Sequence, residues 1–285
     1  MMKVSVVKKW SVLALAAWVV LCVFSFSKGG ETRKQSQKKY CPPGTIWLKD
    51  SLYLDEVEIT NYSYLEYVSW AKEKYGKTDP ELVKRVLPDT LVRRMPLSYS
   101  EPLVDFYFRH PAYHDYPVIG VSHEQASAYC SWRTERVREY IQANRGKLKW
   151  PAENVYYRLP TAAEWEYAAA GALDTSKFFF GHEQLKTKKG MPLIISLESK
   201  EYLTRQGEGL SPQPTSYGEP NALGFYNLIG NVAEMVSEKG VSKGGGWPHA
   251  LEQSKLSTSI PYQGPEGWLG FRCICEIAEG LPGTP

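Results

Sequence analysis

The chain has 285 residues, with 43% hydrophobic and 23% charged side chains, a length that fits one large domain or two small ones around a buried core. Three of its 34 basic residues and no acidic residue lie in the first 27 positions, which leaves 31 basic against 31 acidic residues in the remainder. This balance argues against a nucleic-acid-binding protein.

Residues 1–27 have the order of a secretory signal peptide. Three lysines precede an apolar run over 10–26, and small residues follow it. The run is a little short for the roughly 30 Å hydrocarbon core of a bilayer, which favours cleavage after Ser27 over a retained N-terminal anchor. Lipidation at Cys22 is a further alternative, disfavoured because Leu21 stands where lipoprotein signals want a small residue. We therefore expect an exported protein.

Residues 28–40 form a basic tether, with five basic side chains, one acidic side chain and too little apolar content to fold. The cysteines that follow agree with export. Once Cys22 is set aside, an even number remains, which in an oxidising compartment favours up to two disulfides: Cys41, Cys130, Cys273 and Cys275.

The first predicted element is a strand over 52–59, whose alternation of apolar and polar residues slips once at Asp55-Glu56 and so indicates a bulge. Thr60 and Asn61 then cap a helix that ends near Gly76. Residues 72–116 contain five prolines and are predicted to be a long, irregular surface insertion. Long loops of this kind often carry binding sites.

Two capping boxes predict the next two helices. The first begins after Ser122 and reaches about Ala143, and the second begins after Thr161 and ends at Gly171. The remainder of the chain is rich in glycine and aromatic residues, which indicates turns and short strands more than helices.

An ordered set of segments resembles the formylglycine-generating enzyme, or sulfatase-modifying factor, family. The matching segments are residues 43–46, 55–61, 117–122, 128–132, 157–161, 164–169, 221–234, 243–247 and 270–273. The resemblance implies an α+β fold of the C-type-lectin-like group with much irregular structure. It would form one domain over residues 41–277, followed by a short tail over 278–285.

A narrower resemblance lies within and after the insertion, at residues 101–104, 107–113 and 132–137. These segments are similar to the gliding-motility lipoprotein branch, whose members associate with the type IX secretion machinery of the bacterial envelope. The resemblance implies a location in the periplasm or at the periplasmic face of the outer membrane. The implied partners are other envelope proteins, with membrane contact only through the N terminus.

In the catalytic branch of the family, two cysteines five residues apart bind copper and activate oxygen, because soft thiolates suit Cu(I). The matching positions in this chain are His249 and Ser254, and no cysteine occurs between Cys130 and Cys273. The resemblance therefore implies that no copper is bound and that the oxidase activity is lost.

The resemblance also implies a disulfide and a metal site. Cys130 and Cys273 fall where the family forms a disulfide, the alternative being two buried free thiols. Cys41 and Cys275 could form a second disulfide, but only because they are the two cysteines that remain. The family's structural calcium site falls on Asn227, Gly230, Val232 and Glu234, where the alternative is a tight turn whose Asn and Glu bind backbone groups.

Aromatic residues crowd the region that would line the family's substrate groove: Trp247, Tyr262, Trp268 and Phe271. They fit either a polypeptide-binding surface, together with His249, or the core. Three functions follow as hypotheses. The first is a non-catalytic scaffold or binding subunit of an envelope assembly. The second is an enzyme with a redesigned metal site that includes His249, and the third is a calcium-dependent carbohydrate-binding module.

Overall fold

The computed structural model describes residues 41–94, 99–145, 147–148, 154–207, 209 and 211–277. The predicted signal peptide with Cys22, the tether and the tail lie outside the described residues. Within the described residues, no helix is both long enough and apolar enough to cross a membrane. The fold combines helices with two small sheets and long irregular connections, which confirms the predicted α+β class.

The first sheet has four antiparallel strands in the order β1-β2-β8-β3. Their bounds are Thr45–Lys49 for β1, Leu52–Asp55 for β2, Val155–Arg158 for β3 and Ile274–Ile277 for β8. The N-terminal and C-terminal ends of the described chain thus pair with each other at the centre of this sheet.

The predicted strand over 52–59 is too long, because β2 ends at Asp55. The carbonyl groups of Asp55 and Glu56 accept hydrogen bonds from the Arg272 guanidinium, at 3.0 and 3.3 Å, and that of Glu56 also accepts from the Tyr226 amide, at 2.9 Å. The predicted bulge is also misplaced, since the register shift lies in β1 between Trp47 and Lys49.

The second sheet is built from short strands in the order β6-β5-β4-β7. Their bounds are Ala233–Met235 for β4, Val241–Lys243 for β5, Ser259–Pro261 for β6 and Leu269–Gly270 for β7. Strands β4 and β7 pair in parallel, and the other pairs are antiparallel. The prediction of turns and short strands in this part of the chain is confirmed.

The three main predicted helices are present: α1 over Asn61–Tyr75, α4 over His123–Ala143 and α5 over Ala162–Ala170. Thr60 caps α1, and both predicted capping boxes form at α4 and α5. Gly171 ends α5 in the left-handed region, at φ 62°. Local capping chemistry was therefore sufficient to place these helices.

The expectation of an irregular surface insertion over 72–116 is wrong for much of that segment. It contains two short α-helices, α2 over Pro80–Arg85 and α3 over Glu101–Phe106, and two 3-10 helices over Thr90–Arg93 and Pro111–Tyr113. Tyr107 and Phe108 are buried. The Asn61 side chain holds the segment against α1 by donating to the carbonyl groups of Tyr107 and Tyr113, at 3.0 and 2.9 Å. A last short helix, α6, covers Lys200–Arg205.

Candidate functional site

The site is built around a fully buried ion pair between Arg272 and Glu234. Two guanidinium nitrogens of Arg272 donate to the two carboxylate oxygens, at 2.6 and 2.7 Å, and the Trp165 indole donates to the same carboxylate at 2.9 Å. The guanidinium also donates to the carbonyl groups of Asp55 and Tyr226. Such a dense set of hydrogen bonds is what a buried ion pair needs to offset its desolvation.

This pair already engages Glu234, the one carboxylate among the predicted calcium ligands, and the calcium site stays a prediction. The guanidinium and the indole already occupy both oxygens of Glu234. The side-chain nitrogen of Asn227 donates to the Thr215 carbonyl at 2.9 Å. Val232 lies beside them, fully buried. In the described part of the chain, no cluster of three or more His, Cys, Asp or Glu side chains could hold a metal.

A second buried acid, Glu58, lies near the ion pair and was missed from the sequence. Its Oε1 accepts a hydrogen bond from the Asn231 amide at 2.8 Å, while Oε2 has no hydrogen-bond partner among the described residues. Burial raises the pKa of Glu58 to about 8. The charge of Arg272 acts to lower this pKa, and the charge of Glu234 acts to raise it. One guanidinium thus faces two acids, so Glu58 is the acid that takes up a proton near neutral pH.

The two positions that match the catalytic cysteines lie on one loop, which begins with the glycines that follow β5. Gly245 has φ 67°, and a Cβ there would lie 2.2 Å from the Ser254 Oγ. Ser254 ends the 3-10 helix Leu251–Ser254, is fully buried, and its Oγ has no hydrogen-bond partner among the residues described. Ser254 therefore packs against the glycine backbone, which leaves no room for a substrate group at its hydroxyl.

His249 is half-buried on the same loop, between the glycines and the 3-10 helix Leu251–Ser254. Its Nδ1 accepts a hydrogen bond from the Gly246 amide at 3.0 Å, and its ring meets the Trp268 ring edge to face, with centroids 4.7 Å apart. Burial lowers the pKa of His249, and a ring nitrogen that accepts from a backbone amide fixes the neutral tautomer with its proton on Nε2. At neutral pH, the N–H donor of this imidazole is therefore at Nε2.

The aromatic residues predicted to line one groove lie in two different places in the structure. Trp247 and Trp268 stay with His249, and the Trp247 indole donates to the Gly267 carbonyl at 3.0 Å. Tyr262 follows β6 at the opposite edge of the second sheet from β7, and it is buried in the main core cluster, where Phe271 also lies. The binding role predicted for Tyr262 is therefore replaced by a core role.

Sequence reasoning also missed Arg93, which lies beside the groove at the end of a 3-10 helix. Its guanidinium carbon lies 5.8 Å from the centre of the Trp247 ring and 5.0 Å from that of Tyr107, and only 2% of the residue is exposed. The only signal in the sequence was a pair of arginines after an apolar dipeptide, a pattern that does not distinguish a buried arginine from an exposed one.

The cysteines are placed close to the predicted pairing. The sulfur atoms of Cys130 and Cys273 lie 3.2 Å apart, against the ~2.05 Å of a disulfide, and both residues are buried. Burial and the neighbouring thiol raise the pKa of Cys273 well above its usual value. Cys275 is buried on β8. Burial is the main cause of a raised pKa of Tyr53, and the nearby Cys41 and Cys275 raise that pKa further. Both disulfides stay predictions.

Comparison with known protein families gives a match over residues 16–277 to the sulfatase-modifying factor enzyme 1-like domain. Among individual proteins, formylglycine-generating enzyme from Mus musculus is 26% identical over 246 residues, which cover 79% of this chain and 59% of the mouse protein. The inactive C-alpha-formylglycine-generating enzyme 2 of Bos taurus is 27% identical over 256 residues, which cover 77% of this chain and 75% of the bovine protein.

The chain spans little more than half the length of mouse and bovine formylglycine-generating enzyme, at 59% and 55%. Among solved structures, the crystal structure of CarF superposes with a TM-score of 0.50 at 17% identity, covering 84% of this chain and 95% of CarF. At this identity the superposition supports the fold alone.

The raised pKa of Glu58 predicts a pH-dependent stability. Between the unfolded pKa of about 4.3 and the folded pKa of about 8, the folded chain holds the extra proton, so the free energy of unfolding falls as pH rises through this window. Glu58→Gln removes this ionisation. Between pH 5 and pH 8, we expect the free energy of unfolding of the variant to fall by roughly 2–4 kcal/mol less than that of the wild type. Urea unfolding at several pH values measures this difference.

The matched control for this series is Glu73→Gln, which changes an exposed acid on α1. It should keep the wild-type pH dependence. Equal pH slopes for Glu58→Gln and the wild type would show that Glu58 is ionised in the folded protein.

The contact between Cys130 and Cys273 predicts a disulfide in protein that folds in an oxidising compartment. Peptide mapping without reductant should yield the two cysteine peptides cross-linked, and reduction should lower the free energy of unfolding by ~2–4 kcal/mol. Cys275→Ser serves as the control and should keep the cross-linked peptide. Recovery of Cys130 and Cys273 alkylated in denaturant without prior reduction would contradict the prediction.

Proposed function

Since the chain belongs to the family with the sulfatase-modifying factor enzyme 1-like domain, we propose that it is a non-catalytic member. In this role it serves as a scaffold or binding subunit of a bacterial cell-envelope assembly. The observation that carries the proposal is the pair of positions that match the reactive cysteines. One holds His249 and the other holds Ser254, which is sealed against Gly245.

The chemistry of the loop supports the loss of the oxidase. Copper-dependent oxygen activation in the family needs two thiolates close together, and neither an imidazole nor a hydroxyl replaces them. The sequence has no cysteine between Cys130 and Cys273. Burial raises the pKa of Cys275 to about 12, so in its reduced form this residue is a protonated thiol at neutral pH and not a thiolate that would bind copper. The existence of a relative named as inactive shows that the domain also occurs in proteins without the activity.

The partly exposed cluster of Trp247, His249 and Trp268 has the composition of a binding surface. Trp247 and Trp268 supply aromatic area, and neutral His249 supplies a hydrogen-bond donor at Nε2. Aromatic residues of this kind are enriched at protein interfaces. We place the partner among the components of gliding motility and type IX secretion, and the protein itself in the periplasm or at the periplasmic face of the outer membrane. Both assignments rest on the resemblance of the segments at 101–104, 107–113 and 132–137.

Neither competing function is favoured by the arrangement of the described residues. A redesigned metal enzyme would use the imidazole of His249 as ligand or base, but its Nδ1 already accepts from Gly246. A calcium-dependent carbohydrate-binding module would need an oxygen ligand set, but the Glu234 carboxylate is bound to Arg272. We therefore leave structural calcium out of the proposal.

The proposal predicts no oxidase activity. Purified protein supplied with copper, oxygen, reductant and a cysteine-containing sulfatase peptide should form no formylglycine, as measured by mass spectrometry of the peptide. An active formylglycine-generating enzyme treated in parallel is the control. Aldehyde formation that is lost in His249→Ala would overturn the proposal and identify a redesigned site.

The proposal also predicts capture of envelope components. The native protein, cross-linked in intact cells and purified from envelopes, should carry motility or secretion components in stoichiometric amount. Metal analysis of the same preparation should find no stoichiometric copper or iron. A solitary protein with stoichiometric copper or iron would contradict the scaffold function.

A further inference from the structure

A hairpin over residues 185–193 exposes three lysines. It closes with a four-residue turn, in which the Gly190 amide donates to the Thr187 carbonyl at 2.9 Å. Lys188 and Lys189 occupy the two central positions of this turn, and Lys186 precedes it, where it forms an antiparallel β-bridge with Pro192. All three lysines are exposed, so three cations within four residues face solvent.

Hydrogen bonds on both sides of the turn hold the hairpin in shape. The Thr187 amide donates to the Met191 carbonyl at 2.9 Å, and the Met191 amide donates back to the Thr187 hydroxyl at 3.1 Å. At the open end, the Leu193 amide donates to the Leu185 carbonyl at 2.9 Å. Gly190 has φ 80°, a backbone conformation that favours glycine. The lysines are therefore presented by a defined turn and not by an irregular loop.

The positive charge of the hairpin is not compensated locally. Residues 184–193 contain no acidic side chain. Among the described residues, no carboxylate pairs with any of the three lysines, whereas Lys177 pairs with Asp174 and Lys255 with Glu252. Beyond residue 27 the chain has equal numbers of basic and acidic residues, so the hairpin is a positive patch on a nearly neutral protein.

The side chains of the hairpin fit a lipid surface better than a folded protein. A lysine is a hydrated point charge on a flexible stem, without the planar fork that arginine offers to a single carboxylate. Protein interfaces are enriched in aromatic residues and arginine and depleted in lysine, and residues 184–193 contain neither an aromatic residue nor an arginine. An anionic bilayer presents many phosphates in a fluid layer, which attracts clustered lysines without fixed geometry.

We propose that the hairpin binds the headgroup phosphates of an anionic lipid bilayer. Lys186, Lys188 and Lys189 supply the attraction, and Leu185, with 36% of the residue exposed, adds apolar area beside them. This contact is additional to any attachment through the N terminus and does not depend on the scaffold function. With two points of contact, the membrane would hold the domain in one orientation.

Binding at the hairpin is measured by acetylation of its amines. The full protein is treated with an acetylating reagent in the presence of phosphatidylglycerol vesicles or of neutral phosphatidylcholine vesicles. Cleavage after Glu183 and Glu198 yields a peptide over 184–198 that contains the three hairpin lysines and no others. Its acetylation should slow by at least about threefold with the anionic vesicles only. Lys77, an exposed lysine after α1, is the internal control and should react at the same rate in both samples.

The same experiment separates a bilayer from free phosphate. Inorganic phosphate at the phosphorus concentration of the vesicles should leave the acetylation rate of the hairpin unchanged. Protection by inorganic phosphate equal to that by anionic vesicles would overturn the bilayer as ligand. Equal rates with anionic and neutral vesicles would overturn the proposal as a whole.

Two triple variants with the same change in net charge test the position of the lysines. The hairpin variant combines Lys186→Gln, Lys188→Gln and Lys189→Gln, and the control variant combines Lys72→Gln, Lys77→Gln and Lys147→Gln at other exposed sites. Both should unfold at the wild-type temperature, because the hairpin lysines form no ion pair within the described chain.

Co-sedimentation then gives the ratio of binding to phosphatidylglycerol vesicles over binding to phosphatidylcholine vesicles, in which attachment by the N terminus cancels. This ratio should fall at least about tenfold in the hairpin variant and stay near the wild-type value in the control. An unchanged ratio in the hairpin variant, or an equal fall in both variants, would refute a role of the hairpin. Either result leaves the scaffold function in place, since envelope capture tests that function separately.

Discussion

The Arg272 guanidinium is the point on which both sheets depend. Arg272 lies between β7 of the second sheet and β8 of the first, and it binds the carboxylate of Glu234 on β4 together with carbonyl groups at the end of β2. Removing either charge would leave the other buried and unpaired, which is far costlier than the net value of the pair. The same guanidinium binds the carbonyl groups at the point where β2 ends, while burial makes Glu58, the second acid nearby, take up a proton against the attraction of Arg272.

The glycine-rich loop shows that a family motif can be required by packing alone. A Cβ at Gly244 would lie 2.3 Å from the Leu228 carbonyl oxygen, and one at Gly245 would collide with the Ser254 hydroxyl. These glycines are needed for the backbone to approach its neighbours, whatever side chains follow at 249 and 254. The motif is therefore an argument for the fold, and the argument about activity rests on the two side chains themselves.

The parts of the fold that could be predicted from the sequence are those set by local chemistry. Thr60, Ser122 and Thr161 each bind an amide three residues ahead, so the starts of three helices were visible within four residues of sequence. The end of β2 could not be predicted, because Arg272 acts on Asp55 from 217 residues away. The packing of residues 72–116 was missed for the same reason, since the Asn61 amide binds Tyr107 across 46 residues.

The two buried arginines make opposite use of the same chemistry. Arg272 is satisfied on all sides, by a bidentate carboxylate and by backbone carbonyl groups, and a group satisfied in this way supports the fold. Arg93 has aromatic rings and a single hydroxyl, so its desolvation is already complete in the free protein while most of its donors stay unused. A guanidinium in that state contributes less to folding than one bound by a carboxylate, because neutral partners offset less of its desolvation. The distinction shows that burial of an arginine does not by itself reveal its contribution to the fold, because the partners of the guanidinium decide it.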